Sequence, residues 1–292
     1  MSVFRGSIVA LVTPMTESLA PDWEAIERLV EIQIESGTDA IVPCGTTGES
    51  ATLSHAEHDK VVAFVCRAVA GRVPVLAGAG SNNTAEALRL TRHAAECGAE
   101  GVLSVVPYYN RPMQEGLYRH FATIATEGGL PVMLYNVPMR TARNLEVATV
   151  ERLAALDAVF AIKEASGDLQ QIAEIAARTD LEVFSGDDAV TLPVLALGGA
   201  GVVSVTANVH PRGVAGLVHA WLEGRHDEAR ALHERLLPLH RALFVETNPI
   251  PVKAALEMMG RIPSGRTRLP LTPLGEAHAS ALRAELQRQG LL

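Results

Sequence analysis

The feature that most constrains this chain is an alternation repeated eight times, in which a short apolar, β-branched run is followed by a stretch with helical periodicity. Runs at 7–13, 40–44, 73–77, 101–106, 132–136, 159–164, 182–185 and 201–206 read as strands. Amphipathic patterns lie between them, among them 23–36, 55–70, 84–97 and 169–178. Strands this uniformly apolar need cover on both faces, which parallel strands with helical crossovers provide. The expected fold is therefore a (β/α)8 TIM barrel. A doubly wound sheet would more often carry a Gly-rich phosphate loop after its first strand, and here Thr13-Pro14-Met15 follows instead. Beyond residue 206 the pattern is purely helical, at 211–223, 226–243, 249–259 and 273–289. A barrel needs one helix after its last strand. The expected division is a catalytic barrel over 1–224 and a C-terminal helical appendage over 225–292. His219, His226, His233 and His240 recur every seven residues there, too far apart for one metal, and read as helix-surface residues.

Charge and cysteine usage narrow the function. A net charge of −8 with no basic run predicts no general affinity for nucleic acid or anionic membrane. No apolar run approaches membrane-spanning length. Cys44, Cys66 and Cys97 show no C-x-x-C pairing, which argues against a disulfide framework or a zinc site. The expectation is a cytoplasmic protein.

The chain has only three lysines, Lys60, Lys163 and Lys253. Lys163 interrupts the apolar run Val159-Phe160-Ala161-Ile162. Strand alternation puts it on one face with Ala161 and Ala165, and Phe160, Ile162 and Glu164 on the other. An ammonium held there loses hydration, its pKa falls, and the neutral amine can attack a carbonyl. The competing reading is a structural ion pair with Glu164 or another carboxylate.

Barrel enzymes collect their reactive groups at the C-terminal ends of the strands. After the second strand comes Gly45-Thr46-Thr47-Gly48-Glu49-Ser50, whose hydroxyls and backbone N–H groups can hold a carboxylate. The same residues also fit a capping box from Thr46 to Glu49. Tyr108 and Tyr109 follow the fourth strand, and Tyr135 ends the fifth. A buried tyrosine is ordinarily a hydrogen-bonded structural residue, whereas phenols facing a lysine can relay protons. Arg140, after the turn at Pro138, is either a carboxylate clamp or a solvated loop residue.

Taken together these motifs resemble the dihydrodipicolinate synthase family of pyruvate-dependent class I aldolases. The resemblance runs end to end. It also includes Pro107-Tyr108-Tyr109-Asn110-Arg111-Pro112, Tyr135-Asn136-Val137-Pro138, Ser185-Gly186-Asp187-Asp188 and Asn248-Pro249-Ile250-Pro251-Val252-Lys253. It implies that Lys163 forms a Schiff base with pyruvate, and that Tyr135, Thr47 and Tyr109 relay protons, Tyr109 from a neighbouring subunit. It implies further that Thr46 and Thr47 hold the pyruvate carboxylate and that Arg140 binds the carboxylate of L-aspartate 4-semialdehyde. Gly186 and Val203 match main-chain contacts. The resemblance implies no metal or organic cofactor, and a homotetramer built as a dimer of dimers.

The resemblance also implies an L-lysine effector site at Ser50, Ala51, His55, His58, Asn82, Glu86 and Tyr108. Capping boxes at Ser54/Glu57 and Asn83/Glu86 offer a plainer account of part of that set. Three other readings stay open at this stage. One is a related aldolase acting on a sugar acid, of N-acetylneuraminate or 2-keto-3-deoxy-gluconate type. Another is a non-catalytic metabolite sensor on the same fold. The third, a metal-dependent barrel enzyme, would need ligands at several strand ends, and only Asp187-Asp188 qualifies.

Overall fold

The computed structural model describes residues 4–292. Its eight strands are β1 (Gly6–Ala10), β2 (Ala40–Val42), β3 (Leu76–Gly78), β4 (Gly101–Val105), β5 (Val132–Asn136), β6 (Val159–Glu164), β7 (Glu182–Ser185) and β8 (Gly201–Ser204). All neighbours pair in parallel, in the order β2-β1-β8-β7-β6-β5-β4-β3. A parallel bridge between Ile41 and Val75 joins the two outer strands and brings the sheet round into a barrel. The strands are shorter than their apolar runs at β1, β2, β4 and β8. Past β2 and β8, Cys44 and Val205 leave the sheet and line the site.

Two apolar clusters follow from strand alternation. One fills the barrel, with Ile8, Val42, Leu76, Leu103, Met133 and Phe184 among its members. The other packs the outer faces of the strands against the surrounding helices, with Val9, Ile41, Leu134, Ile162 and Val202 on the strand side. Those helices include α1 (Trp23–Glu35), α2 (His55–Val69), α3 (Thr84–Glu96), α4 (Gln114–Glu127) and, after a four-residue turn of helix α5 (Pro138–Thr141), α6 (Val147–Ala154). Next come α7 (Leu169–Arg178), α8 (Thr191–Ala196) and α9 (Pro211–Leu222). The chain then adds α10 (His226–Ala242), α11 (Ile250–Met258) and α12 (Glu276–Arg288).

The heptad histidines are not all on the surface. His219 Nε2 donates a 2.8 Å hydrogen bond to the Asp39 carboxylate, while His240 is 2% exposed and bonds the Thr206 hydroxyl at 2.8 Å. The reason is that α10 packs along α9 and meets Thr206 just past β8, so its inner stripe is core. Of the three proposed capping boxes, Ser54/Glu57 is complete. Asn83 caps α3, but Glu86 does not return to it: its carboxylate is taken by the Ser81 hydroxyl and by His55.

Candidate active site

Lys163 and Tyr135 lie side by side on β6 and β5, paired in register, with Nζ 4.4 Å from the centre of the phenol ring. Both point into the mouth of the barrel. The alternation that aims Lys163 inward aims Glu164 outward, where its carboxylate accepts from Asn136 Nδ2 (3.1 Å), Ser166 N (2.8 Å) and Gln171 Nε2 (3.0 Å). The ion pair between adjacent residues is therefore excluded. Among the described residues no carboxylate lies within salt-bridge distance of Lys163. Burial drives its pKa down to about 8; the more distant Asp188 carboxylate opposes the fall and Arg140 adds to it. Asp188 is itself fully engaged, accepting from the Ser204 hydroxyl, Val205 N and Thr206 N.

Room for the lysine depends on Gly186, just past β7. A Cβ there would stand 2.7 Å from Ala165 Cβ and 3.1 Å from Lys163 Cε. The cavity above Lys163 measures about 420 Å³ and is lined by Thr46, Thr47, Tyr135, Arg140 and Gly186, with Asn248 at its wall. Val203 is not among the lining residues; it is fully buried within the barrel, and Val205 reaches the cavity in its place. Burial raises the Tyr135 pKa, while Arg140 and a hydrogen bond with the Thr46 side chain act against it.

The capping reading of Thr46 and Glu49 does not hold. Glu49 adopts a left-handed conformation (φ 57°) that turns its side chain into the protein. Its carboxylate accepts from Lys253 Nζ at 2.5 Å and from Arg268 N at 3.0 Å, with the Lys253 and Glu49 side chains both at 0% exposure. Lys253, on α11, is thus more deeply buried than Lys163, a property the sequence reading did not give it. The signal was present, because Ile250-Pro251-Val252-Lys253-Ala254-Ala255 is also an apolar run holding one lysine. Asn248 was also passed over, and its Nδ2 donates to Thr47 Oγ1 at 2.9 Å.

Arg140 sits at the rim, exposed, its Nη2 donating to the Asn248 carbonyl at 3.3 Å. It pairs with no carboxylate among the described residues. A second cavity of about 370 Å³ adjoins the first, and Thr46, Ser50, Val137 and Arg140 line both. It gathers Ser50, Ala51, His55, His58, Glu86 and Tyr108. Asn82 stands apart from its lining; Asn82 Nδ2 donates to the Tyr108 carbonyl at 3.1 Å, tying down the loop. Tyr109 is 91% exposed, in a left-handed conformation (φ 71°), and lines neither cavity. Among the described residues, no group of three or more His, Cys, Asp or Glu could hold a metal ion.

A model of the dihydrodipicolinate synthetase family matches residues 3–289. The 4-hydroxy-tetrahydrodipicolinate synthase of Citrifermentans bemidjiense is 53% identical over 292 residues, 99% of this chain and 100% of that protein. Among solved structures, the dihydrodipicolinate synthase of Acinetobacter baumannii complexed with pyruvate is 44% identical, with a TM-score of 0.96 and 99% of each chain covered. The dihydrodipicolinate synthase of Cyanidioschyzon merolae, solved with lysine bound, is likewise 44% identical, with a TM-score of 0.96 over 100% of both chains.

Proposed function

The chain belongs to the dihydrodipicolinate synthetase family, and from that premise we propose how its residues condense pyruvate with L-aspartate 4-semialdehyde to give 4-hydroxy-tetrahydrodipicolinate, the first committed step of lysine and diaminopimelate biosynthesis. The observation that carries the reading is a buried lysine without a carboxylate partner, beside a buried tyrosine, in a cavity that also holds a hydroxyl pair and an unpaired arginine.

Neutral Lys163 attacks the carbonyl carbon of pyruvate, and the carbinolamine loses water to leave an iminium. Loss of a methyl proton gives the enamine, whose carbon adds to the aldehyde. The amino group of the adduct then displaces Lys163 and closes the ring. Each step moves a proton, and Tyr135, Thr47 and Tyr109 are the groups we assign to carry them. Thr46 and Thr47 hold the pyruvate carboxylate, with a main-chain contact from Gly186, while Val203 lies beneath the cavity lining. Because Tyr109 lies outside its own cavity, its assignment rests on a second subunit supplying it, within a homotetramer of two dimers. The barrel of residues 1–224 carries the reacting groups and the region 225–292 braces them. No described helix is long and apolar enough to cross a membrane, and the three free cysteines suit a cytoplasmic enzyme.

Arg140 receives the carboxylate of the aldehyde substrate. Replacing it with lysine keeps the charge and loses the bidentate geometry, worth about 1.5–3 kcal/mol. Arg140→Lys is expected to form the pyruvate imine normally and to lose about 10- to 150-fold in kcat/KM for the aldehyde. Coupled assay of parent and variant with both substrates checks this. Equal values would make Arg140 a solvated loop residue, and a parent that does not condense the two would end the reading.

The second cavity is the place we assign to L-lysine as an effector. Glu86 there offers a carboxylate to an ammonium, and Thr46, Ser50 and Arg140 are shared with the catalytic cavity. The shared wall is a physical route for coupling. Titration calorimetry is expected to show L-lysine binding at millimolar concentration or below, weakened by Glu86→Ala. No heat from the parent protein would leave these residues with structural roles alone.

A further inference from the structure

The segment that carries Arg140 leaves the barrel and comes back to the residue it left from. It departs after Asn136, the last residue of β5, runs through α5 and returns at Asn144. The side chain of Asn136 holds the neck closed. Its Oδ1 accepts from Leu145 N at 3.0 Å, and its Nδ2 donates to Asn144 Oδ1 at 2.8 Å. A loop fastened at its neck keeps one shape because its ends cannot separate. Arg140 stands midway between the two asparagines.

The neck is made of buried groups. Asn136 is 0% exposed and Glu164 is 1% exposed. Both Glu164 oxygens accept from Asn136 Nδ2, each at 3.1 Å. A carboxylate only accepts and the Leu145 N–H only donates, so the Asn136 amide has one orientation. Gln171 on α7 completes the circuit. Its Nε2 donates to Glu164 at 3.0 Å, and its Oε1 accepts from Asn144 Nδ2 at 2.7 Å. Asn136 adjoins Tyr135 and Glu164 adjoins Lys163, on strands paired in register. The circuit therefore ties the Arg140 loop to the two strand ends that carry the lysine and the tyrosine. Asn144 lines neither cavity, so it acts only through the groups it holds.

The function assigned above puts the aldehyde's carboxylate at Arg140 and its carbonyl carbon over the imine on Lys163; the next step rests on that reading. Two anchors for one substrate must stand at a fixed separation, and a small displacement of either slows the reaction. We propose that Asn144 is a positioning residue, closing the neck of the Arg140 loop and so fixing the distance from the carboxylate clamp to the Lys163 amine. Pyruvate needs no such distance, because it engages Lys163 and the Thr46–Thr47 turn, which lie outside the loop.

A double-variant cycle, read in kcat/KM for L-aspartate 4-semialdehyde, tests the proposal. Asn144→Ala is expected to cost about tenfold in the parent and less than about threefold when combined with Arg140→Lys, because a clamp already weakened has less to lose. Borohydride trapping of pyruvate on Lys163 is expected to stay within about twofold of the parent in Asn144→Ala. Should the alanine variant fold poorly by circular dichroism, Asn144→Ser carries the same cycle. Equal losses in the two backgrounds would overturn the proposal, as would trapping slowed as much as condensation, or no loss at all. A parent that does not condense the two substrates, or an Arg140→Lys variant equal to it, would instead strike the functional reading beneath, and this inference with it.

Discussion

Borohydride added with pyruvate is expected to fix the three-carbon adduct on Lys163 and to leave Lys60 and Lys253 unmodified. Burial alone does not yield that result, because Lys253 is the more buried of the two inner lysines. Pairing makes the distinction. Lys253 donates to Glu49 inside a closed wall, where Glu49 opposes the fall in its pKa that burial causes and where it is out of reach of the cavity. Lys60 is exposed on α2, where water stabilises the ammonium. Lys163 has lost water without gaining a carboxylate, so with a pKa of about 8 it is neutral in about one molecule in ten at pH 7 and one in two at pH 8. The sign follows directly: the attacking form is the deprotonated one, so adduct formation rises with pH and levels above about 9. At low pyruvate concentration the trapping rate should climb about fivefold from pH 7 to 8. Peptide mapping identifies the residue. An adduct at another lysine, or a rate still climbing tenfold per unit above pH 9, would remove Lys163 as the activated amine.

The largest loss of stability is expected from Lys253→Met. Glu49 would then keep a fully buried carboxylate with only the Arg268 N–H and the Thr52 hydroxyl beside it. Removing one partner of a buried pair costs about 3–5 kcal/mol, whereas replacing both with apolar residues can be close to neutral. The double variant Glu49→Leu/Lys253→Met should therefore recover much of what Lys253→Met loses in urea denaturation. The two should differ from the parent in another respect. Glu49 follows Thr46 and Thr47 on the same turn, so the double variant should stay stable and still bind pyruvate more weakly. A denaturation midpoint for Lys253→Met equal to that of the parent would show that the pair does not hold this wall.

The barrel was legible because its signal is repeated and local. Four of the eight strands, β1, β2, β4 and β8, were read one to three residues too long at their C-terminal ends, and β3 was displaced. At β2 and β8 the residues beyond the strand include Cys44 and Val205, which line the site. The inward aim of Lys163 also followed from a period of two. What stayed hidden were contacts between distant parts of the chain. Glu49 with Lys253 and Thr47 with Asn248 are separated by 204 and 201 positions. No periodicity reports such a pair, and the near-sequence partner, a capping box, was the more economical reading. His240 was missed for a related reason. Its helix looks amphipathic whichever neighbour it packs on, and only the position of α10 against α9 makes that face interior. Asn82 is placed differently from the rest of its set: its side-chain amide donates to the Tyr108 carbonyl from outside the cavity that the neighbouring residues line.

The long-span closure of the Thr46–Thr47 turn bears on when activity begins during synthesis. A ribosome delivers the chain from its N-terminus, so Lys163, Tyr135 and all eight strands emerge before residue 248 exists. Until then Glu49 has no counter-ion, Thr47 lacks its Asn248 donor, and Arg268 has not yet joined Glu57. A nascent chain halted after β8 would own the nucleophile without the turn that receives the substrate. Completion of the polypeptide thus serves as the licence for chemistry, and truncated products carry a reactive lysine without the means to use it.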